Sequence, residues 1–264
     1  MPDEERYEVF AIRYGRRDTR KSEVYLNYGL YSEPDTPVAM DYYFWVARGA
    51  DRVVLFDCGF ARDAGLRRGR TLLIDPLDAL ALVGVAPTEI SHVLVSHAHY
   101  DHIGNLSRFP DAGVVMSARE FDFWTGPMAG RAQFATYAEP AELEYLRRLD
   151  AGGGISFVSG CTDVLPGIRL IEVGGHTPGQ LIGLVQTASG QAVLACDALH
   201  YYEELERDRP FAIISDLRAM YEGFDTLAGL AADPGRVLVA GHDPDVMTRF
   251  PGVGGAEGVA VRIG

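Results

Sequence analysis

Three histidines and an aspartate crowd into one short string, Ser96-His97-Ala98-His99-Tyr100-Asp101-His102. Imidazoles and a carboxylate this close repel one another when protonated and crowd one another when buried, unless a cation organises them. A metal site is the economical reading, and a solvated polar loop the competing one. Further ligand types stand where apolar runs end: His176 in Gly174-Gly175-His176-Thr177-Pro178-Gly179, Asp197 after the run 192–196, and His242 in Gly241-His242-Asp243. The glycines are expected to let backbone come close to the ions. Four distant stretches contribute, so the fold must build the site, unlike the local loop of a zinc finger.

Seven ligands are more than one tetrahedral ion uses, and one carboxylate among them can bridge, which implies two ions roughly 3.5–4 Å apart. His97, His99 and His176 are assigned to the first ion, Asp101, His102 and His242 to the second, and Asp197 to both. The nitrogen and oxygen donors suit Zn(II), with Mn(II), Fe(II) and Co(II) also admissible. Two such ions lower the pKa of a shared water to about 7 and polarise a carbonyl, so the reaction class is hydrolysis. Asp101 is expected to pass the nucleophile's proton to the leaving oxygen, although ligation alone would explain it.

Strands and helices must hold these residues in place. Strands are expected over 7–14, 38–47, 52–56 and 92–95, with a short one near Val114 and Val115, and again over 168–173, 181–186, 192–196 and 237–240. Helices are expected over 75–82, opened by an Asp cap with Pro in its first turn, and over 117–124, 140–149 and 216–231. Strands in groups with helices between them make a mixed α/β class. The polar stretch 15–37 is longer than an ordinary connection and reads as a functional flap or an arm in a homodimer.

The 264 residues, 47% of them hydrophobic, are enough for a proper core, and no Pro- or Ser-rich linker divides them, so 1–264 is read as a single hydrolase domain. Lys and Arg number 24 against 37 Asp and Glu, a net charge of −13 whose field repels nucleic acid and anionic lipid. Cys58, Cys161 and Cys196 form no C-x-x-C pair, which fits a reducing compartment. The opening MPDEERYEVF lacks the basic flank and apolar stretch of a secretory signal, and no apolar run reaches the ~18 residues of a membrane span. A cytoplasmic protein acting on a small molecule is expected, with neither nucleic acid nor membrane as partner.

Other residues invite roles around the metals. Asp57 either caps a turn or orients a ligand histidine, and His92, at a strand start, reads as a packed or supporting residue. Tyr25, Tyr28 and Tyr31, with Phe44, Trp45, Phe121, Phe123 and Trp124, are candidates for an apolar acyl pocket, with core packing the default for most of them and the three tyrosines the stronger candidates. Arg67-Arg68 and Arg147-Arg148 read as solvated faces.

HAHYDH, GGHTPG, the lone Asp197 after an apolar strand and the late GHD resemble the metallo-β-lactamase superfamily, and within it the N-acyl-homoserine lactonases. As in that branch, PVAMDYYFWV and VVLFDCGF precede the metal string and a helix-rich insert over 117–149 separates the halves. The resemblance runs from about 37 to 251. It implies an αββα sandwich, two mixed β-sheets flanked by helices, with a dinuclear site at one edge. It also implies a metal-bridging hydroxide that opens an N-acyl-homoserine lactone or related lactone, a quorum-quenching activity. Thioesterases of the glyoxalase II kind share all seven ligands but carry a basic helical tail; here Arg249 and Arg262 are the only Lys or Arg after His242. A thioesterase or other small-ester hydrolase is the alternative, and an iron sulfur dioxygenase a further one. Similar lactonases place a tyrosine three residues after the bridging Asp, where its hydroxyl holds the substrate carbonyl. His200 stands there, followed by Tyr201 and Tyr202. His200 is therefore a candidate catalytic residue, and His200, Tyr201, Tyr202 and Tyr28 are candidate substrate contacts.

Overall fold

In the computed structural model, which describes residues 5–264, two β-sheets face each other. The first sheet begins with a long antiparallel pair, β1 (Glu8–Arg20) and β2 (Pro37–Arg48), joined by β3 (Val53–Phe56), by the short β4 (Thr71–Leu72) on β1, and by β5 (Ile90–Leu94), β6 (Gly113–Ser117) and β7 (Ile155–Val158). The second holds β8 (Cys161–Leu165), β9 (Ile168–Glu172), β10 (Leu181–Thr187), β11 (Gly190–Leu194) and β12 (Arg236–Val239). β13 (Ala260–Arg262) closes the first sheet, whose order is β13-β1-β2-β3-β5-β6-β7; the second runs β12-β11-β10-β9-β8.

The first sheet is covered on both sides, which is why β2 is apolar almost without alternation. Successive side chains still go to opposite faces: Tyr42, Phe44 and Val46 join one apolar cluster, and Tyr43, Trp45 and Ala47 the other. The first cluster is capped by helices, with Ala79 and Leu80 from Pro76–Leu82, Trp124 from Ala118–Thr125, and Leu143 and Leu146 from Pro140–Ala151. The second packs Phe56 against β10 so closely that a Cβ on Gly183 would lie 2.2 Å from its ring. Helix Leu217–Ala231 adds Met220, Phe224 and Leu227 to that cluster from one apolar stripe. The architecture is the αββα sandwich, of mixed α/β class.

Helix starts follow the capping residues. Asp75 Oδ1 accepts from Leu77 N–H at 2.9 Å ahead of Pro76, and Asp216 Oδ1 accepts from Ala219 N–H at 3.0 Å. The stretch 15–37 departs from expectation. β1 continues through it to Arg20, paired to β2 after a register shift between Arg13 and Gly15. The rest is the helical turn Lys21–Val24, a bridge from Tyr25 to Phe211, and the turn Tyr28–Tyr31. Its polarity reflects salt bridging along a strand: Arg16 reaches Asp18 and Asp41, and Arg17 pairs with Glu23.

Candidate metal centre

The metal string leaves the C-terminal end of β5, where Asp57, just beyond β3, holds it. Asp57 Oδ1 accepts from Ser96 N–H at 2.8 Å and Oδ2 from Ser96 Oγ–H at 2.7 Å. The one-turn helix Tyr100–Ile103 returns Asp101 and His102 to the centre, and Tyr14 Oη donates to the Asp101 carbonyl at 2.9 Å. His176 follows β9, Asp197 follows β11 and His242 follows β12. The first sheet thus supplies the string, and the second supplies one ligand from each of three loops.

Four of the five candidate ligand histidines are oriented through an outer nitrogen. His102 Nδ1 lies 2.7 Å from Asp57 Oδ2, His176 Nδ1 2.7 Å from the Ile213 carbonyl, His242 Nδ1 2.7 Å from the Asp41 carbonyl, and His97 Nδ1 3.0 Å from Ser96 Oγ. Each Nδ1–H therefore donates outward, leaving the Nε2 lone pair to face inward. His99 is turned the other way, with Nδ1 3.0 Å from His176 Nε2.

These inner atoms surround Asp197 in two groups. Oδ2 lies 3.3 Å from His176 Nε2 and 3.7 Å from His97 Nε2; Oδ1 lies 3.1 Å from His242 Nε2 and 3.2 Å from His102 Nε2. Donors of a tetrahedral site with bonds near 2.0–2.1 Å are roughly 3.3 Å apart, so the spacing suits a cation in each group. The ligand atoms of His97, His99, His176 and Asp197 fall within 4.8 Å of one another, as do those of Asp101, His102 and His242. Nε2 of His97, His102 and His242 and Oδ1 of Asp197 are buried with no hydrogen-bond partner among the described residues, as expected of atoms meant for an ion.

The electrostatics agree for the first group of histidines. Burial, reinforced by neighbouring imidazoles, depresses His97 and His99 well below the usual range, and burial takes His176 down to about 3; such neutral rings are the ligating form. Burial also opposes charge on His102, but Asp197, Asp57 and Asp101 overcome it and raise its pKa well above the usual value. Asp197 is ionised despite burial, because the imidazoles of His102, His242 and His200 hold its pKa well below the carboxylate range.

Two cavities of about 220 Å³ each meet at His99 and His176. One is bordered by Asp101, Asp197, Arg17, Arg68, Arg70 and Tyr42; the other has no Asp, Glu, Lys or Arg in its lining and is bordered by Phe123, Trp124, Phe134 and by Tyr137, which both cavities share. The structure does not bring Tyr28, Tyr201 or Tyr202 to either. Tyr28 Oη donates to the Pro34 carbonyl, Tyr201 Oη to that of Ala39 and Tyr202 Oη to that of Leu238. Phe44 and Trp45 belong to the core instead. His200 lies behind Asp197: its Nε2 is 3.1 Å from Oδ2 without hydrogen-bond alignment, its Nδ1 is 3.5 Å from Glu204 Oε1, and its ring stacks on Phe211 at 3.7 Å. Burial disfavours its charge, yet the two carboxylates raise it to about 9. His92 contacts Ser91 Oγ at 3.0 Å, on β5. Arg68 is no solvated face: it pairs with Glu139 and lies 4.1 Å above the Tyr100 ring.

Sequence reasoning missed Glu120. Fully buried, it accepts from Ala98 N–H at 2.9 Å and Trp124 Nε1–H at 2.7 Å through Oε1, and from Gly179 N–H at 2.9 Å through Oε2, tying two metal loops together. The spacing of Ser117 and Glu120 matches a helix-start box, a signal that hides this longer reach. Arg70, Tyr42 and Tyr137 carry no motif and were found by the cavity alone.

Comparison with known proteins agrees with this geometry. Two curated relatives are N-acyl homoserine lactonases: one from Bacillus sp, 28% identical over 138 residues, 52% of this chain and 49% of that protein, and AttM of Azorhizobium caulinodans, 27% identical over 64% of each. The match to the first spans about half the length of that relative. Among solved structures, an N-acyl homoserine lactone hydrolase with the product N-hexanoyl-L-homoserine at its catalytic metal centre superposes with a TM-score of 0.75 at 21% identity, over 92% of this chain and 96% of that one. AidC, a dizinc quorum-quenching lactonase, superposes at 0.71 and 19% identity over 92% of both. These low identities speak for the fold. The model of the metallo-beta-lactamase superfamily matches residues 40–247, a span holding all seven ligands, and the chain belongs to that superfamily.

Proposed function

We propose that this chain is a metal-dependent hydrolase that opens a lactone ring, with two divalent cations, zinc being the expected species. The observation that carries this reading is the division of Asp197, one oxygen toward His97 and His176 and the other toward His102 and His242. His97, His99 and His176 would hold one cation and Asp101, His102 and His242 the other. Two cations held so supply a water acidic enough to be a nucleophile at neutral pH and a Lewis acid for the ester carbonyl.

The chain's own residues do the rest. Asp101 borders the cavity with its backbone pinned by Tyr14, so its carboxylate stands where a proton can be carried to the departing alkoxide. His200 borders neither cavity and contacts Asp197, so it is a positioning residue for the bridging carboxylate in place of the tyrosine that touches substrate in similar lactonases. The second cavity, lined by no Asp, Glu, Lys or Arg, suits an acyl chain. Ligands come from both sheets, so the chain acts as one hydrolase domain, and its three free cysteines suit a reducing compartment such as the cytoplasm. The lactonase relatives support the choice of a lactone over a thioester.

Two measurements test this. D197N is expected to lose most hydrolytic activity and metal stoichiometry, and unchanged turnover with two ions retained would refute the bridge. Values of kcat/KM across a lactone series should exceed those for matched thioesters; the reverse order would make the chain a thioesterase.

A further inference from the structure

Three guanidinium groups border the cavity beside Asp101 and Asp197. Two are already neutralised. Arg17 pairs with Glu23, and Arg68 pairs with Glu139 through Nη1, which also donates to the Ala64 carbonyl, while its Nε and Nη2 donate to the carbonyl of Thr136. Arg70 differs. Its Nε donates to Tyr100 Oη at 3.2 Å and its Nη1 to the Arg68 carbonyl at 2.7 Å, but no carboxylate pairs with it among the described residues. Nη2 makes no hydrogen bond among them either. A half-buried guanidinium gives up hydration and normally recovers it from an anion. In a chain with 37 acidic residues such a partner was easily available, so its lack beside the reaction centre is informative.

We propose that Arg70 is the anchor for an anionic group on the substrate, so that the lactone or ester this protein opens carries a second acidic function of the carboxylate class. The inference rests on the hydrolase reading above and narrows its substrate. The two donated hydrogen bonds hold the guanidinium plane, leaving one edge for the fork-like pairing that arginine makes with carboxylates. Tyr100, which seats Arg70, is the neighbour of Asp101, so the anchor is built into the metal string itself. The second cavity shares His99 and His176 with the first and has no Asp, Glu, Lys or Arg in its lining, so it suits the uncharged part of a substrate whose anionic end meets Arg70. A neutral N-acyl homoserine lactone leaves Arg70 without a partner. The net charge of −13 makes a local cation the more necessary if an anion is to enter.

Arg70 also has a plain alternative, as a counter-charge to Asp101. The test separates the two on the metal-loaded enzyme. The probes are a γ-butyrolactone bearing a carboxylate on its γ-carbon and the same lactone bearing a primary amide there, of nearly equal size. Wild type is expected to prefer the carboxylate in kcat/KM. R70M should lower that preference by ~10–100-fold, the worth of a charged hydrogen-bonded pair, mainly through KM, with part of it recovered in R70K. Calorimetry on the two ring-opened products gives a second reading that needs no turnover: the dicarboxylate should lose affinity in R70M relative to the monocarboxylate amide. Equal preference in wild type, or a preference that R70M leaves intact in a variant of unchanged Tm, overturns the anchor. If neither lactone opens, the choice of lactone is left to the series against thioesters, and product binding alone decides Arg70: dependence on it upholds the anchor and independence removes it.

Discussion

Asp57 does its work outside the ligand set. It sits at φ 61 in the left-handed region and takes three hydrogen bonds, from Ser96 N–H, Ser96 Oγ–H and His102 Nδ1–H. In D57N a neutral amide replaces the charge that keeps His102 basic and oriented. Metal affinity should fall ~10–100-fold in competition with a chromophoric chelator, and a wild-type affinity would remove this role. Glu142 makes a separate point about pH. Burial first, then the like charge of Glu139, pushes its carboxyl up to about 8, and Oε2 has no partner among the described residues. The folded state therefore holds that proton more tightly than the unfolded one, whose value is near 4.5. The stability this contributes is full below about pH 4.5 and is lost as pH rises through about 8. E142Q should flatten that decline in urea melts across the window, and parallel curves for both proteins would show that Glu142 does not titrate there.

Loop geometry before the ligands is set by backbone crowding. Gly175 precedes His176 at φ +87, and a Cβ there would lie 2.6 Å from the Met220 backbone; one on Gly241, before His242, would lie 2.4 Å from the Cys196 carbonyl. Besides the expected approach of backbone to the ions, these glycines admit approach of loop to helix and of loop to loop, and a Cβ on Gly241 would also lie 3.2 Å from Asp197 Oδ1. G175A should lower stability by about 1–3 kcal/mol and reduce occupancy of the half-site that His176 serves. Denaturant titration together with metal analysis would show it, and a neutral substitution would mean the loop relaxes freely. The long β1 carries the same lesson. Its second half is polar because it exchanges salt bridges along the strand, so it lacked the apolar alternation by which a strand is recognised.

At the scale of the whole molecule, the centre is a joint between the sheets. His97, His99, Asp101 and His102 come from the first, and His176, Asp197 and His242 from the second. Ions bound there act on the folded state alone, so chelation should lower Tm and added Zn(II) should raise it, each bound ion adding about 2.7 kcal/mol of stability at a hundredfold excess over its Kd. D197N should show a much smaller rise. A Tm indifferent to chelator would argue that the sheets are held by the Phe56 and Gly183 contact and its apolar neighbours alone. Among the described residues no helix is long and apolar enough to cross a membrane.

All seven candidate ligands were legible in the sequence because donor chemistry confines ions to a few residue types, and those types stood at the ends of apolar runs. Such runs also made nine of the thirteen strands among the described residues legible, all but β4, β7, β8 and β13, and the family resemblance implied the αββα class. Which oxygen of Asp197 faces which histidines, that His200 contacts it and borders neither cavity, and that Tyr28, Tyr201 and Tyr202 bond to backbone elsewhere were decided by tertiary structure. So were the reach of Glu120 and the unpaired edge of Arg70. The physical reason is that residue type limits which atoms can bind, while side-chain direction depends on packing between segments far apart in the chain.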